Sequence, residues 1–269
     1  MDETLVRFTA DIPQHYDSGL GPHIFIDFGT ELARRTAAHQ PRAVLELAAG
    51  TGIVTEILVT ELSASSRITA TDLNPPMLEI ARAKLRASDN VELRPADATA
   101  LPFSEGSFDS VVCQFGVMFF PDKEQSFREV YRVLRSGGRY LFNVWDAMEH
   151  NPFSRVAQET IASFFADDPP QFYKLPFSYC DAAAIAASLA DTGFENIETE
   201  VIRIDKEVAD PELFARGLVY GNPAIEEIRG RSGASPDEIT AAVVSALERE
   251  LDGAGQMPLQ AIFVSARKA

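Results

Sequence analysis

Between positions 43 and 145 the chain switches repeatedly between two hydrophobic periods. Short apolar runs alternate with segments whose apolar residues return every three or four positions. Ala43-Val44-Leu45-Glu46-Leu47-Ala48 is the first such run, and 67–72, 91–97, 108–114 and 140–145 read as four more strands. The first helical stretch follows Gly52 and places Ile53, Ile57 and Leu58 on one face. The second begins at Asn74-Pro75, an N-cap residue before a first-turn proline, and buries Leu78, Ala81 and Leu85. A third opens at Pro121, carries Phe127, Val130, Tyr131 and Leu134 at i, i+3, i+4 and i+7, and closes at Gly137-Gly138. Strands alternating with helices predict right-handed βαβ units and a mainly parallel sheet covered on both faces.

Beyond residue 146 the pattern loosens. Residues 150–180 mix phenylalanines with prolines, 181–189 form an Ala-rich helix stopped near Gly193, and 197–208 alternate as a strand. Residues 209–257 read as helical, with a capping box at Ser235-Pro236-Asp237-Glu238 and a ridge of Ile239, Val243, Leu247 and Leu251. A last strand covers 259–266. No repeat or linker divides the chain, which reads as a single domain, 1–269.

Charge narrows the partners. Against 24 Lys and Arg stand 40 Asp and Glu, a net charge of −16, and such a surface repels polyphosphate backbones and anionic membranes. Cys113 and Cys180 are too few for a disulfide framework and suit a reducing compartment. The acidic start Met1-Asp2-Glu3-Thr4 is unlike a signal peptide, and the apolar stretch 111–120 is too short to span a bilayer. A cytoplasmic protein is expected. The four histidines show no zinc spacing, so no metal is expected.

The chemistry concentrates at the end of the first strand. Gly50-Thr51-Gly52 allows a sharp turn and a close approach of ligand to backbone, and the helix that follows offers unpaired N–H groups. Asp72, 20 residues after Gly52 and at the end of the second strand, can accept both hydroxyls of a ribose. Thr55 stands where a pyrophosphate loop wants Gly or Ala, and no Walker A sequence is present. An adenosine-like ligand without a pyrophosphate is the expectation.

The stretch 44–146 resembles the class I S-adenosylmethionine-dependent methyltransferases, in the small-molecule (methyltransferase type 11) branch that contains the ubiquinone/menaquinone C-methyltransferases. Four ordered blocks carry the likeness: 44–52 (VLELAAGTG), 71–78 (TDLNPPML), 95–103 with 107–109 (PADATALPF, SFD), and 127–138 (FREVYRVLRSGG). The family's usual first glycine of the turn is Ala48 here. The resemblance implies a Rossmann-like, doubly wound, seven-stranded α/β sheet, mostly parallel with one antiparallel strand, plus helical lid insertions. It implies a cofactor core at about 31–146, an N-terminal cover at about 1–30 and lids at about 147–180 and 209–257. S-adenosylmethionine is the implied cofactor, with S-adenosylhomocysteine as product.

Family roles then fall on numbered positions. Glu46, Ala48, Gly50, Thr51 and Gly52 would form the turn under the methionine end, and Asp72 would take the ribose. Leu73 and Met77 would pack on the adenine, with Asp97 and the Ala98 backbone at its polar edge. Gln114 and Phe115 would line the sulfonium side. His15, Tyr16, Asp146 and His150 are the weak polar candidates for catalysis. Phe119, Phe120, Phe153, Phe164, Phe165, Phe172 and Phe177 suggest a ring-lined pocket for an aromatic or hydrophobic small acceptor. Asp167-Asp168 and Glu226-Glu227 read as solvated charges. Two other classes compete: an NAD(P)-dependent dehydrogenase, and a non-catalytic cofactor-binding scaffold. Monomer and homodimer both stay open.

Overall fold

A computed structural model describes residues 7–8, 10–251, 253 and 255–269 of the chain. The acidic start at 1–4 lies outside them. The chain enters through α1 (Ile12–His15), a π-helix (Tyr16–Phe25) and α2 (Ile26–Ala37). It then alternates β1 (Ala43–Glu46), α3 (Ile53–Glu61), β2 (Arg67–Asp72), α4 (Pro75–Lys84) and β3 (Val91–Pro95). After β4 (Phe108–Gln114) come α5 (Lys123–Val133) and β5 (Leu134–Trp145).

Among the described residues the sheet has seven strands in the order β3-β2-β1-β4-β5-β7-β6, where β6 is Phe194–Glu207 and β7 is Gln256–Lys268. The first five pair in parallel, and β7 runs antiparallel to both its neighbours. This is the expected Rossmann-like sheet with its one reversed strand. The strand order reverses direction between β1 and β4, and a crevice opens there beyond the carboxyl ends of the strands.

α3 buries Val54, Thr55 and Leu58, and its Ile53 and Ile57, half-buried, pack against the core beside them. The limits of α5 need correction. α5 starts at Lys123 rather than Pro121, because the Asp122 side chain accepts the Gln125 N–H at 2.8 Å as N-cap. It ends at Val133. Leu134 is already extended and pairs with Phe108, after which the β4–β5 register shifts before Ser110 meets Arg139. Gly137-Gly138 therefore absorbs an irregularity inside β5, with Gly137 at φ +80°, instead of stopping the helix.

The predicted α-helix after Asp181 is α7 (Ala182–Thr192), capped by Asp181 and ended by left-handed Gly193. The remaining insertions are α6 (Pro152–Ala162), a 3-10 turn (Phe172–Lys174), α8 (Pro211–Tyr220), α9 (Ala224–Arg229) and α10 (Pro236–Leu251). The capping box before α10 forms: Ser235 N–H and hydroxyl both bond Glu238 Oε2, at 2.8 and 2.9 Å. The π-helix crosses α8 with so little room that a Cβ on Gly19 would lie 2.7 Å from the Gly217 Cα. Phe28, Trp145 and Phe263 knit α2 to the sheet, Phe28 edge-on to Trp145 at 5.6 Å. Burying each such side chain contributes roughly 1.5–3 kcal/mol, so the cover is held on the sheet by ordinary core packing.

Candidate functional site

A cavity of about 690 Å³ lies over the carboxyl ends of β1, β2, β4 and β5, within the roughly 300–1,000 Å³ usual for small-molecule sites. The glycine turn forms one end. Ala48, Gly50 and Gly52 have φ of +51°, +58° and +80°, so the backbone turns through three left-handed residues. Only glycine adopts that region without strain. The Ala48 methyl is accommodated by Gly116: a Cβ there would lie 2.5 Å from it.

Asp72 sits at this end, nearly buried. Its Oδ2 accepts the Gly50 N–H at 2.9 Å, and its Oδ1 accepts the Asn74 N–H at 2.7 Å. Burial pushes its carboxyl up, and those backbone N–H groups oppose the rise. Glu46 lies behind the turn rather than on the cavity wall. It accepts the Thr55 hydroxyl at 2.7 Å, and burial pushes its carboxyl up to about 8. Thr55, read above only as the wrong residue for a pyrophosphate loop, is thus the partner of the motif's acid.

Leu73 and Met77 line the cavity, and Leu73 is 61% exposed, a large apolar side chain at the rim. Asp97 and Ala98 close that side, with Asp97 Oδ1 accepting both the N–H and the hydroxyl of Thr99. Gln114 and Phe115 follow on the β4 end. Gln114 Nε2 donates to the Phe25 carbonyl at 3.1 Å, and Phe115 stacks on Trp145 with centroids 3.9 Å apart. The structure brings these expected residues to one cavity. Thr51 and Gly52 support the turn from outside the lining, where the Thr51 hydroxyl donates to Asp17 at 2.6 Å.

The polar candidates separate. Tyr16 lines the cavity beside Gly50 and Met77, stacked on Phe25 at 4.8 Å. Burial and the nearby Asp72 and Asp17 hold its phenol far above its ordinary range, so it stays protonated. His15 instead packs against Tyr220 at 5.2 Å, outside the lining. Asp146 is occupied by Gln260 Nε2 at 2.6 Å and by the Ala147 N–H at 2.7 Å. His150 ends an exposed 3-10 turn, Met148–His150.

The other end of the cavity is aromatic. Phe119, Phe120, Phe153, Phe172 and Phe177 line it, and Trp145 joins them. Phe164 and Phe165 lie elsewhere, Phe165 beside Gly233. Phe8 lines the cavity as well: its N–H donates to Asn74 Oδ1 at 3.2 Å, and its ring meets Tyr16 and Phe119 edge-on. Glu227, expected to be solvated, instead accepts the Phe172 N–H at 2.9 Å and fixes the 3-10 turn that carries that ring. Sequence reasoning missed Tyr173 and Asn222, which line the cavity, and Asp17, which holds Thr51 behind the turn; all three come from distant segments with no motif around them. Among the described residues no cluster of His, Cys, Asp or Glu could hold a metal, and no helix is long and apolar enough to cross a membrane.

The chain matches the family model described as a methyltransferase domain over residues 45–142. It is 33% identical over 170 residues to the ubiquinone/menaquinone biosynthesis C-methyltransferase UbiE of Enterobacter sp. (strain 638), covering 58% of this chain and 68% of that one. The Escherichia coli K12 (DH10B) enzyme of the same name is 32% identical with the same coverage. The fold is similar to a Haemonchus contortus phosphoethanolamine N-methyltransferase 2 solved with phosphomonomethylethanolamine and S-adenosylhomocysteine. That likeness has a TM-score of 0.64 at 17% identity, over 99% of this chain and 60% of that one. It is also similar to the YcgJ protein of Bacillus subtilis, with a TM-score of 0.58 at 19% identity over 90% and 98%. The chain belongs to the class I S-adenosylmethionine-dependent methyltransferases. Within that class it stands with the small-molecule enzymes related to UbiE, and its cofactor is S-adenosylmethionine. The dehydrogenase reading falls with this assignment.

Proposed function

We propose that the cavity holds S-adenosylmethionine against the glycine turn and delivers its methyl group, by in-line displacement, to an aromatic or otherwise apolar small acceptor. Bound there, the cofactor supplies an electrophilic methyl on a sulfonium. The residues present fit such a ligand. The turn leaves Gly50 without a Cβ beside Met77 and Tyr16, Asp72 presents a carboxylate for hydroxyls, and Leu73 offers an apolar rim for a base to cover. In this reading Asp97 and Ala98 meet the polar edge of the adenine, and Gln114 and Phe115 separate the two ends of the cavity.

One observation carries the acceptor class: the end beyond Phe115 is walled by rings, with Phe119 stacked toward Phe172 at 6.3 Å and Trp145 against Phe177 at 5.8 Å. The name shared by the curated relatives, ubiquinone/menaquinone biosynthesis C-methyltransferase, points to the same lipophilic, ring-bearing class. The protein's task is alignment. Holding nucleophile and methyl in line in a dry chamber supplies much of the rate, and Tyr16, kept protonated, serves as a hydrogen-bonding wall rather than a base.

We further read residues 31–146 as the cofactor core, and about 1–30, 147–180 and 209–257 as cover and lids of one domain. The enzyme is read as cytoplasmic, monomeric or homodimeric, and acting without nucleic acid. The test is methyl transfer from labelled S-adenosylmethionine to a panel of phenols, hydroquinones, aliphatic amines and phosphoamines. Transfer to the ring compounds supports the reading. Transfer confined to the amines overturns it.

A further inference from the structure

β5 carries a carboxamide that does not line the cavity but is bonded to residues that do. Asn143 lies opposite Gln114 in the β4–β5 register, is fully buried, and stands outside the cavity lining. Its Oδ1 accepts the Phe115 N–H at 3.1 Å, and its Nδ2 donates to Gln114 Oε1 at 3.3 Å. Gln114 Nε2 in turn donates to the carbonyl of Phe25, the last residue of the π-helix, at 3.1 Å.

The direction of this relay is set by its two ends. A backbone N–H only donates and a backbone carbonyl only accepts. Turning the Asn143 amide over would set its nitrogen against the Phe115 N–H. Turning the Gln114 amide over would set its oxygen against the Phe25 carbonyl. One orientation of each amide serves all three contacts. The Phe115 end is also the strained one: its φ is +48°, a region that bulky side chains rarely enter and that persists only where the surroundings impose it. The turn made there lays the Phe115 ring on Trp145 at 3.9 Å and brings it to Phe25 and Phe28 at 5.9 and 5.6 Å. Both arms of Asn143 therefore end on the cavity wall and on the N-terminal cover.

We infer that Asn143 is a positioning residue: it holds Phe115 in its left-handed pose and aims the Gln114 amide at the cover, so that one side chain outside the cavity sets both the wall and the seat of the cover. This rests on the reading of Gln114 and Phe115 as the sulfonium side of the cofactor site. A leucine, close to asparagine in shape, would fill the same space and make neither bond.

The test uses the full chain and two signals: the emission of Trp145, its sole tryptophan, and the calorimetric Kd for S-adenosylhomocysteine. Asn143→Leu should shift the emission, as Phe115 leaves the indole, and weaken binding about five- to tenfold, the weight of one hydrogen bond. Gln114→Met cuts only the arm to the cover. It should weaken binding by a similar factor and leave the emission unchanged. The double variant should lose less than the product of the two single losses, because both changes cut the same arm. If the leucine variant does not fold, Asn143→Ser, too short to reach both partners, carries the same expectations. An emission unmoved by the change at Asn143 overturns the inference, and so do losses that simply multiply. If the unmodified chain does not bind S-adenosylhomocysteine, the placement of the cofactor is wrong, and the emission shift alone still decides whether Asn143 holds Phe115.

Discussion

Asp17 and Thr51 are joined by a 2.6 Å hydrogen bond that fastens the N-terminal π-helix to the glycine turn. Lys84, on α4, donates to the same Asp17 oxygen at 2.7 Å, so three segments of the chain meet at one carboxylate. The π-helix contributes Tyr16, Leu20, Ile24 and Phe25 to the cavity wall. The contact that seats the cover therefore also holds the turn. Asp17→Ala should weaken S-adenosylhomocysteine binding several-fold, since each ~1 kcal/mol lost from the closed state costs about fivefold in affinity. Calorimetry on wild type and variant checks this, and unchanged affinity would uncouple cover from turn.

Asp72 bears on the site more directly. Its two oxygens already organise the turn through the Gly50 and Asn74 N–H groups. In the proposed complex each also accepts a ribose hydroxyl, a charge-assisted bond worth about 1.5–3 kcal/mol. Asp72→Ala should lower cofactor affinity by about 100-fold or more, with the far-ultraviolet circular dichroism retained. Asp72→Asn, which still accepts at one oxygen, should lose less. Normal binding by the alanine variant would mean that the ribose lies elsewhere.

Glu46 gives a pH signature. Its carboxyl is pushed up to about 8 by burial, from an ordinary value of 4.5. Between those two values the folded chain holds a proton that the unfolded chain has released, so stability falls as pH rises. The contribution is fully present below about 4.5 and lost through about 8. Glu46→Gln keeps an oxygen for Thr55 and cannot ionise. The variant should therefore gain stability relative to wild type steadily from pH 5 to 8, by on the order of a few kcal/mol across the window. Denaturant titrations at pH 5, 6.5 and 8 measure the difference, and a constant gap would contradict a buried, protonated acid.

What was legible in the sequence follows from what is local. Val44 to Gly52 and Asp72 declare themselves because a parallel strand, a turn and a strand-end carboxylate must stand at fixed chain separations. The limits of α5 were misread because glycines that end helices also fill bulges, and only the pairing of Phe108 with Leu134 decides between the two. The acceptor end was legible as composition, not as geometry. Phe153, Phe172 and Phe177 reach the cavity while Phe164 and Phe165 do not, and the choice depends on how the turn held by Glu227 packs. Asn222 and Tyr173 meet across 49 positions, and His15, Asp146 and His150 are drawn elsewhere by Tyr220, Gln260 and solvent. Such long-range pairings leave no periodic trace.

The Ala48–Gly116 contact is a coupled pair. Where the family's usual first glycine would stand, Ala48 holds φ +51°, and its methyl fills the space that a Gly116 side chain would need. Gly116→Ala should destabilise the fold by about 1–3 kcal/mol through overpacking. Adding Ala48→Gly should recover part of that loss. Recovery is incomplete because the new Cβ would also lie 2.7 Å from Cys113 Sγ. A double-mutant cycle in urea reads the coupling directly, and strictly additive losses would show that the two positions relax independently.

Trp145 offers a direct view of the acceptor end. It is the sole tryptophan of the chain, it lines the cavity, and it stacks on Phe115 with the rings 6° from parallel. Phe177 and Phe153 lie on its other sides, with centroids at 5.8 and 5.4 Å. A ring-bearing acceptor seated among these residues replaces water at the indole and changes the dielectric around it. In protein saturated with S-adenosylhomocysteine, titration with a hydroquinone should therefore change Trp145 emission saturably, with the midpoint matching the calorimetric affinity. Phe172→Ala removes a wall that does not touch the glycine turn and should shift that midpoint upward, while the affinity for S-adenosylhomocysteine holds. An emission unchanged at saturating ligand would place the acceptor away from the Phe115–Trp145 stack, and the assignment of the aromatic chamber would have to be withdrawn.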